Sequence, residues 1–156
     1  MGQIHLVQGE QELARELIEE SVALKEVGDR AATAESLMSL ARVLTSQGDQ
    51  DSVRQLYGES FQLLQEIHDR EYFPLCLESL AGVIAGQGEQ ERAACLWGAA
   101  EALRETVGNP IPPLYLLEYQ QVVAAAREQL GQEAFASAWA RGRALTPEQV
   151  LINQNI

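Results

Sequence analysis

Three glycines, Gly82, Gly86 and Gly88, lie close enough together to raise the question of a phosphate loop. Such a loop follows a strand, and it needs a lysine followed by Ser or Thr to reach the phosphates. No lysine follows here, and the glycines close a helical pattern, so the spacing supports helix termination instead. A nucleophilic serine on a strand-to-helix elbow needs Gly-x-Ser-x-Gly, which the chain lacks. His5 and His68 stand alone and read as surface residues. Cys76 and Cys95 lack the paired Cys or Cys/His spacing of a zinc site. Both read as small buried apolar residues in a reducing compartment, at heights on their hairpin that suit a disulfide poorly. The carboxylates Glu10 and Glu12, and Glu19 and Glu20, fall on polar helix faces, where they are solvated and not tuned for acid–base work. No catalytic residue, cofactor site or metal site is expected.

The elements that would have to position any chemistry are helices. Apolar residues make up 46% of the 156-residue chain and aromatics only 6%, with Ala, Leu, Glu and Gln abundant and no period-two runs of Val, Ile or Thr. That composition belongs to an all-α chain. The 23 acidic residues outnumber the 11 basic ones, for a formal charge of −12. Nucleic-acid binding needs a dense basic face, so direct contact with DNA or RNA is not expected. An acidic surface also disfavours anionic membranes and suits a partner with basic residues. No apolar run approaches the length of a membrane span and no signal-peptide pattern opens the chain, so a soluble, cytoplasmic location is expected.

The clearest unit runs from Glu71 to Gly108. Leu77, Leu80, Ala81 and Ile84 share one helix face. The turn Gly86-Gln87-Gly88-Glu89 follows, and then Ala93, Leu96, Trp97, Ala100 and Leu103 share a second face. This hairpin recurs. Gln8-Gly9-Glu10, Gln47-Gly48-Asp49 and Gln87-Gly88-Glu89 are spaced 39 and 40 residues apart, and Gly131-Gln132 follows 43 later. A second series, Gly28-Asp29-Arg30, His68-Asp69-Arg70 and Gly108-Asn109-Pro110, interleaves at 40 and 40. Two interleaved series of turns imply alternating helices of about 15 to 18 residues. Interior columns agree: Ala14, Val53, Ala93 and Ala136 follow the first series by five residues, and Leu17, Leu56, Leu96 and Trp139 by eight.

With a turn expected at Gly9, the first helix runs from about Glu10 to Val27 and lacks a hairpin partner. Its apolar residues Leu13, Leu17, Ile18, Val22 and Leu24 exceed what one neighbour can cover, so one side is expected at an interface. Later in the chain, Pro112 and Pro113 make a stiff turn, with Pro113 able to open a helix that ends near Leu130. Leu116, Leu117, Val122, Val123 and Ala126 are its expected inward stripe. A shorter helix from about Gln132 to Ala144 turns Phe135, Ala138 and Trp139 inward. Thr146, Pro147 and Gln149 spell a capping box with proline at the first helical position, and the polar end 153–156 is expected to fray.

These hairpins resemble tetratricopeptide repeats (TPRs), in which a leucine and a small residue fall mid-way along the first helix, glycine at the turn and alanine early in the second. Leu40, Ala41, Gly48 and Val53 follow that pattern with Val for Ala, and Leu80, Ala81, Gly88 and Ala93 follow it throughout. The period near 40 exceeds the family's about 34, and the repeat-end proline is absent from the first two repeats. The stretch from Ala93 to Leu151 resembles the C-terminal end of repeat regions in bacterial transcriptional regulators of the LuxR-type and ATPase-containing kinds. Leu96-Trp97-Gly98-Ala99-Ala100, Gly108-Asn109-Pro110, Val123-Ala124-Ala125-Ala126-Arg127, Ala138-Trp139 and Gly142-Arg143-Ala144-Leu145 carry that likeness.

The resemblance implies a right-handed, TPR-like superhelical array of antiparallel helix hairpins in one domain, 1–156. An incomplete repeat spans 1–30, repeats span 31–70 and 71–110, a terminal repeat spans 111–145, and a capping helix or tail spans 146–156. It implies a non-catalytic protein–protein interaction module in a bacterial signalling or transcription regulator. In such arrays the first helix of each hairpin lines a concave groove. Its expected partner-binding positions are Glu35, Met38, Arg42 and Thr45, then Glu78, Ser79 and Gly82, then Gln121, Ala125 and Glu128. The expected partner is a protein or peptide, with homodimerisation through Leu13, Leu17, Ile18 and Leu24 as a second use of the surface. The alternative is a small-ligand effector sensor that fills the same groove.

Overall fold

The computed structural model describes the backbone of residues 2–153 and the side chains of residues 8–150; His5 and the expected frayed end beyond Asn153 lie outside the described side chains. Among the described residues there are eight α-helices and no strand. They are α1 (Gly2–Val27), α2 (Arg30–Thr45), α3 (Gln50–Glu66), α4 (Phe73–Gly86), α5 (Gln90–Val107), α6 (Pro113–Leu130), α7 (Gln132–Arg143) and α8 (Pro147–Asn153). None is long and apolar enough to cross a membrane. The chain resolves into two compact units, one ending at Ile67 and the other beginning at His68.

Turn chemistry places the breaks. At Gly28 and Gly108, φ is +83° and +71°, a region only glycine enters without steric cost. Open space surrounds both, so backbone conformation and not crowding requires glycine there. Both turns tie back to the helix they end: Gly108 and Asn109 donate their N–H groups to the Arg104 carbonyl at 2.8 and 3.0 Å. His68, the middle member of the same series, takes φ +54° without being glycine.

Gly9 departs from the series. It lies inside α1, which runs unbroken from Gly2 to Val27, so the expected turn and the helix start at Glu10 are both corrected. An isolated glycine costs a helix interior only about 1 kcal/mol. That is too little by itself to break a helix.

In the N-terminal unit α2 packs between α1 and α3. Leu37, Leu40 and Ala41 of α2 and Val53, Tyr57, Phe61 and Leu64 of α3 form its core, with Ala14 contributed by α1. Short polar side chains join the helices: the Ser36 hydroxyl donates to the Leu17 carbonyl and the Ser60 hydroxyl to the Ala34 carbonyl, both at 3.3 Å. Asp29 and Asp49 cap α2 and α3 by accepting from Ala32 N–H at 3.1 Å and Ser52 N–H at 3.2 Å.

The Ser52 hydroxyl also donates to Asp49, at 2.7 Å, and these bonds hold the Asp49 carboxyl below its ordinary value. A depressed folded pKa contributes stability that is complete above the unfolded value and lost as pH falls through the folded one. The helical signal of α3 is therefore expected to weaken in circular dichroism below about pH 4. Asp49→Asn, which keeps a cap oxygen, should flatten that acid limb; an unchanged limb would remove the cap from the explanation.

In the C-terminal unit α5 is central. It packs on α4 and on α7, with α6 and α8 making smaller contacts. Leu77, Leu80 and Ile84 of α4, Leu96, Trp97 and Ala100 of α5, Phe135 and Ala138 of α7 and Val150 of α8 are buried. The α8 start is built as its residues require. Gln149 N–H donates to the Thr146 hydroxyl at 3.2 Å, and Thr146 N–H donates to the Gln149 side chain at 2.9 Å.

The α6 stripe is the second correction. Val123 and Ala126 are buried as expected, but Leu116, Leu117 and Val122 are exposed, as is Leu114. The inner face is instead the neighbouring stripe of Tyr115, Tyr119, Val123 and Ala126. Tyr119 sets it, meeting the Trp97 ring edge-on with centroids 6.5 Å apart.

Candidate functional site

The densest polar arrangement is buried between α4 and α5. Arg104 follows Trp97 by seven residues and Ala100 by four, so it falls on the inward stripe of α5. A guanidinium there needs a buried anion, and Glu78 of α4 supplies it. Arg104 Nε and Nη2 donate to the two Glu78 carboxylate oxygens, each at 2.7 Å. Both residues are only 7% exposed. The remaining Arg104 nitrogen, Nη1, donates to the Asn109 carbonyl at 2.9 Å, and Trp97 Nε1–H donates to the Glu78 carbonyl at 3.2 Å. One cluster thus ties α4, α5 and the turn after α5 together.

Burial outweighs the attraction of Arg104 and pushes the Glu78 carboxyl above its ordinary value. The Tyr119 phenol is also pushed up, first by burial and then by the negative charges of Glu78 and Glu101. Burial raises the Cys76 thiol well beyond the usual thiol range, so no thiolate is populated at neutral pH. Among the described residues no group of three or more His, Cys, Asp and Glu converges as a metal site requires. Every buried side-chain nitrogen or oxygen among them has a hydrogen-bond partner. The cluster's donors and acceptors are spent on one another, and what it does chemically is lock two helices in register.

The α5–α7 contact is equally specific. A Cβ on Gly98 would overlap the Trp139 carbonyl oxygen, and one on Gly142 would overlap the Cys95 carbonyl oxygen. On the surface beside this contact, Arg143 donates to Glu101 at 2.7 Å and to Glu105 at 2.6 Å, while Arg141 donates to Glu91 at 2.6 Å. The Arg143 bond holds the Glu105 carboxyl below its ordinary value. Being exposed, these pairs orient more than they stabilise.

The positions proposed for a groove divide. Glu35, Arg42 and Thr45 are exposed on α2, but Met38 of the same helix is buried in the N-terminal core, 5% exposed. Met38 follows Ala34 by four residues and precedes Ala41 by three, so it shares their buried face. Glu78, expected to line the groove, is corrected too: Arg104 draws it inward. Ser79 and Gly82 are half-buried, and α6 closes over the latter, since a Cβ on Gly82 would lie 3.9 Å from Val122 Cγ1. Gln121, Ala125 and Glu128 of α6 are exposed. Of the self-association residues, Leu13 and Ile18 are exposed while Leu17 and Leu24 are half-buried. Arg104 was the residue the groove pattern passed over; its charge on an apolar stripe was the legible signal.

Trp97 is 1% exposed and belongs to both the core and the cluster. Trp97→Ala is expected to cost about 3–5 kcal/mol in urea unfolding, the range for losing a large buried aromatic. A loss under about 1 kcal/mol would contradict its packing role. No family model matches this chain, and no curated protein or solved structure matches it.

Proposed function

We propose that the chain is a TPR-like array of helix hairpins that serves as a non-catalytic interaction module of a bacterial signalling or transcription regulator. It would work in the cytoplasm by binding a protein or peptide segment. The observation that carries this reading is the pair of uncovered apolar helix faces. α6 turns Leu114 and Leu117 to the surface, and α1 does the same with Leu13, Ile18 and Val22. Faces of this kind mark interaction surfaces. Among the described residues the buried polar side chains are engaged in holding helices together, which is compatible with the same reading.

Calorimetric titration of the whole chain against helical and extended peptides, and against a panel of metabolites, tests it. Saturable peptide binding with a negative heat-capacity change is the expected result. Binding of a metabolite without any peptide would overturn the reading in favour of an effector sensor. Concentration-dependent dimerisation alone, with no peptide bound, would overturn it in favour of self-assembly.

A further inference from the structure

The faces of α1 differ in charge as well as in exposure. α1 holds six glutamates against two basic residues, Arg15 and Lys25. Lys25 reaches across to Glu59 of α3, at 2.5 Å, which marks the side of α1 that neighbours α3. At 100° per residue, Leu13, Leu17, Leu24 and Val27 line the opposite flank of the face buried on α2. Their spacing of four, seven and three residues is that of a helix-pairing seam. Leu13 is 45% exposed, Val27 is 81% exposed and the two leucines between them are half-buried. Glu20 is exposed within the seam, at the step between Leu17 and Leu24, Glu16 is exposed along its edge, and neither Arg15 nor Lys25 falls on that side.

We infer that this flank of α1 docks a basic amphipathic helix from a partner protein. Leucine-like side chains of the partner would cover Leu13, Leu17, Leu24 and Val27, and its Lys or Arg residues would pair with Glu16 and Glu20. The inference rests on the interaction-module reading and narrows it to one surface and one partner chemistry. The seam asks for a helix, because only a helix returns apolar side chains at matching steps of three and four. The two glutamates ask for a basic one. A second copy of this chain would set Glu16 and Glu20 against their own equivalents with no lysine or arginine of α1 on that flank among the described residues, and like charges in register repel.

Two labelled synthetic helical peptides test the inference by fluorescence anisotropy with the whole chain. One is built from leucine, lysine and alanine with leucines at the seam spacing; the other carries glutamate in place of lysine. The lysine peptide is expected to bind at least about tenfold more tightly, with the difference shrinking as salt is added. Glu16→Gln with Glu20→Gln should weaken the lysine peptide alone. Leu13→Ser with Val27→Ser, at positions exposed enough to leave the helical signal unchanged, should weaken both. Equal affinity for the two peptides, or indifference to both double variants, overturns the inference while leaving the module reading intact, since the bound peptide then sits elsewhere. Failure of every peptide overturns both. A wild-type dimer in sedimentation that Leu13→Ser with Val27→Ser converts to monomer makes a second copy the occupant and overturns the basic-helix assignment.

Discussion

Replacing Arg104 with methionine is expected to destabilise the C-terminal unit by about 3–5 kcal/mol, the range for breaking a buried ion pair from one side. Two bonds of 2.7 Å satisfy both oxygens of a Glu78 carboxylate that has almost no water to turn to. Removing the guanidinium leaves that carboxylate buried and uncompensated, and it frees the Asn109 carbonyl that Arg104 also holds. The loss should be partly relieved at low pH. The Glu78 carboxyl already sits above its ordinary value, and without Arg104 it rises further, so native protein binds a proton that the unfolded chain releases. The variant's deficit is therefore greatest at neutral pH and shrinks as pH falls toward the carboxylate range. A double replacement, Arg104→Met with Glu78→Leu, should recover most of the stability, because apolar groups of similar volume can replace a buried pair. Both tryptophans of the chain, Trp97 and Trp139, lie in this unit, so their fluorescence in urea reports it directly. A loss below about 1 kcal/mol for Arg104→Met would put the pair in solvent and refute the cluster.

Gly98→Ala and Gly142→Ala are expected to be comparably damaging, about 3 kcal/mol or more each, at the upper end of overpacking. Propensity alone points the other way, since alanine is favoured over glycine inside a helix by about 1 kcal/mol. The neighbour decides the sign. At both positions the added methyl would overlap a backbone carbonyl of the facing helix, and a backbone atom cannot move aside as a side-chain end can. α7 would have to lift from α5, uncovering Phe135 and Ala138. Gly82→Ala is the internal control. Its methyl would meet Val122 at 3.9 Å, an ordinary contact, so the substitution should be neutral or stabilising by up to about 1 kcal/mol. Thermal melts of the three variants test this together; equal effects at all three positions would contradict the close α5–α7 contact.

Packing leaves parts of two helix faces uncovered, and the proposed recognition rests on them. The interior is closed by ion pairing, a tryptophan hydrogen bond and glycine-mediated helix contact. Leu13 of α1 and Leu114 and Leu117 of α6 stay exposed.

Local chemistry was legible from the residues alone. Helix starts at Pro113 and Pro147, the Thr146 capping box and the turns at Gly28, Gly48, Gly88, Gly108 and Gly131 all depend on φ preferences and on bonds spanning a few residues. The all-helical class follows from the same signals. Tertiary structure decided three other matters. It made Gly9 an interior helix residue and Gly98 and Gly142 contact points, although glycine's type is the same at a turn, in a helix and at a crossing. It chose the Tyr119 stripe of α6 over the overlapping leucine stripe, because Trp97 offered a partner to one and not the other. It drew Glu78 inward to Arg104, although the two are 26 residues apart in sequence. For the glycines the reason is that the residue's own bonding does not say whether a turn, a helix interior or a helix crossing will use it. For the α6 stripe and Glu78 it is that which face of a helix is buried depends on the side chains of another helix.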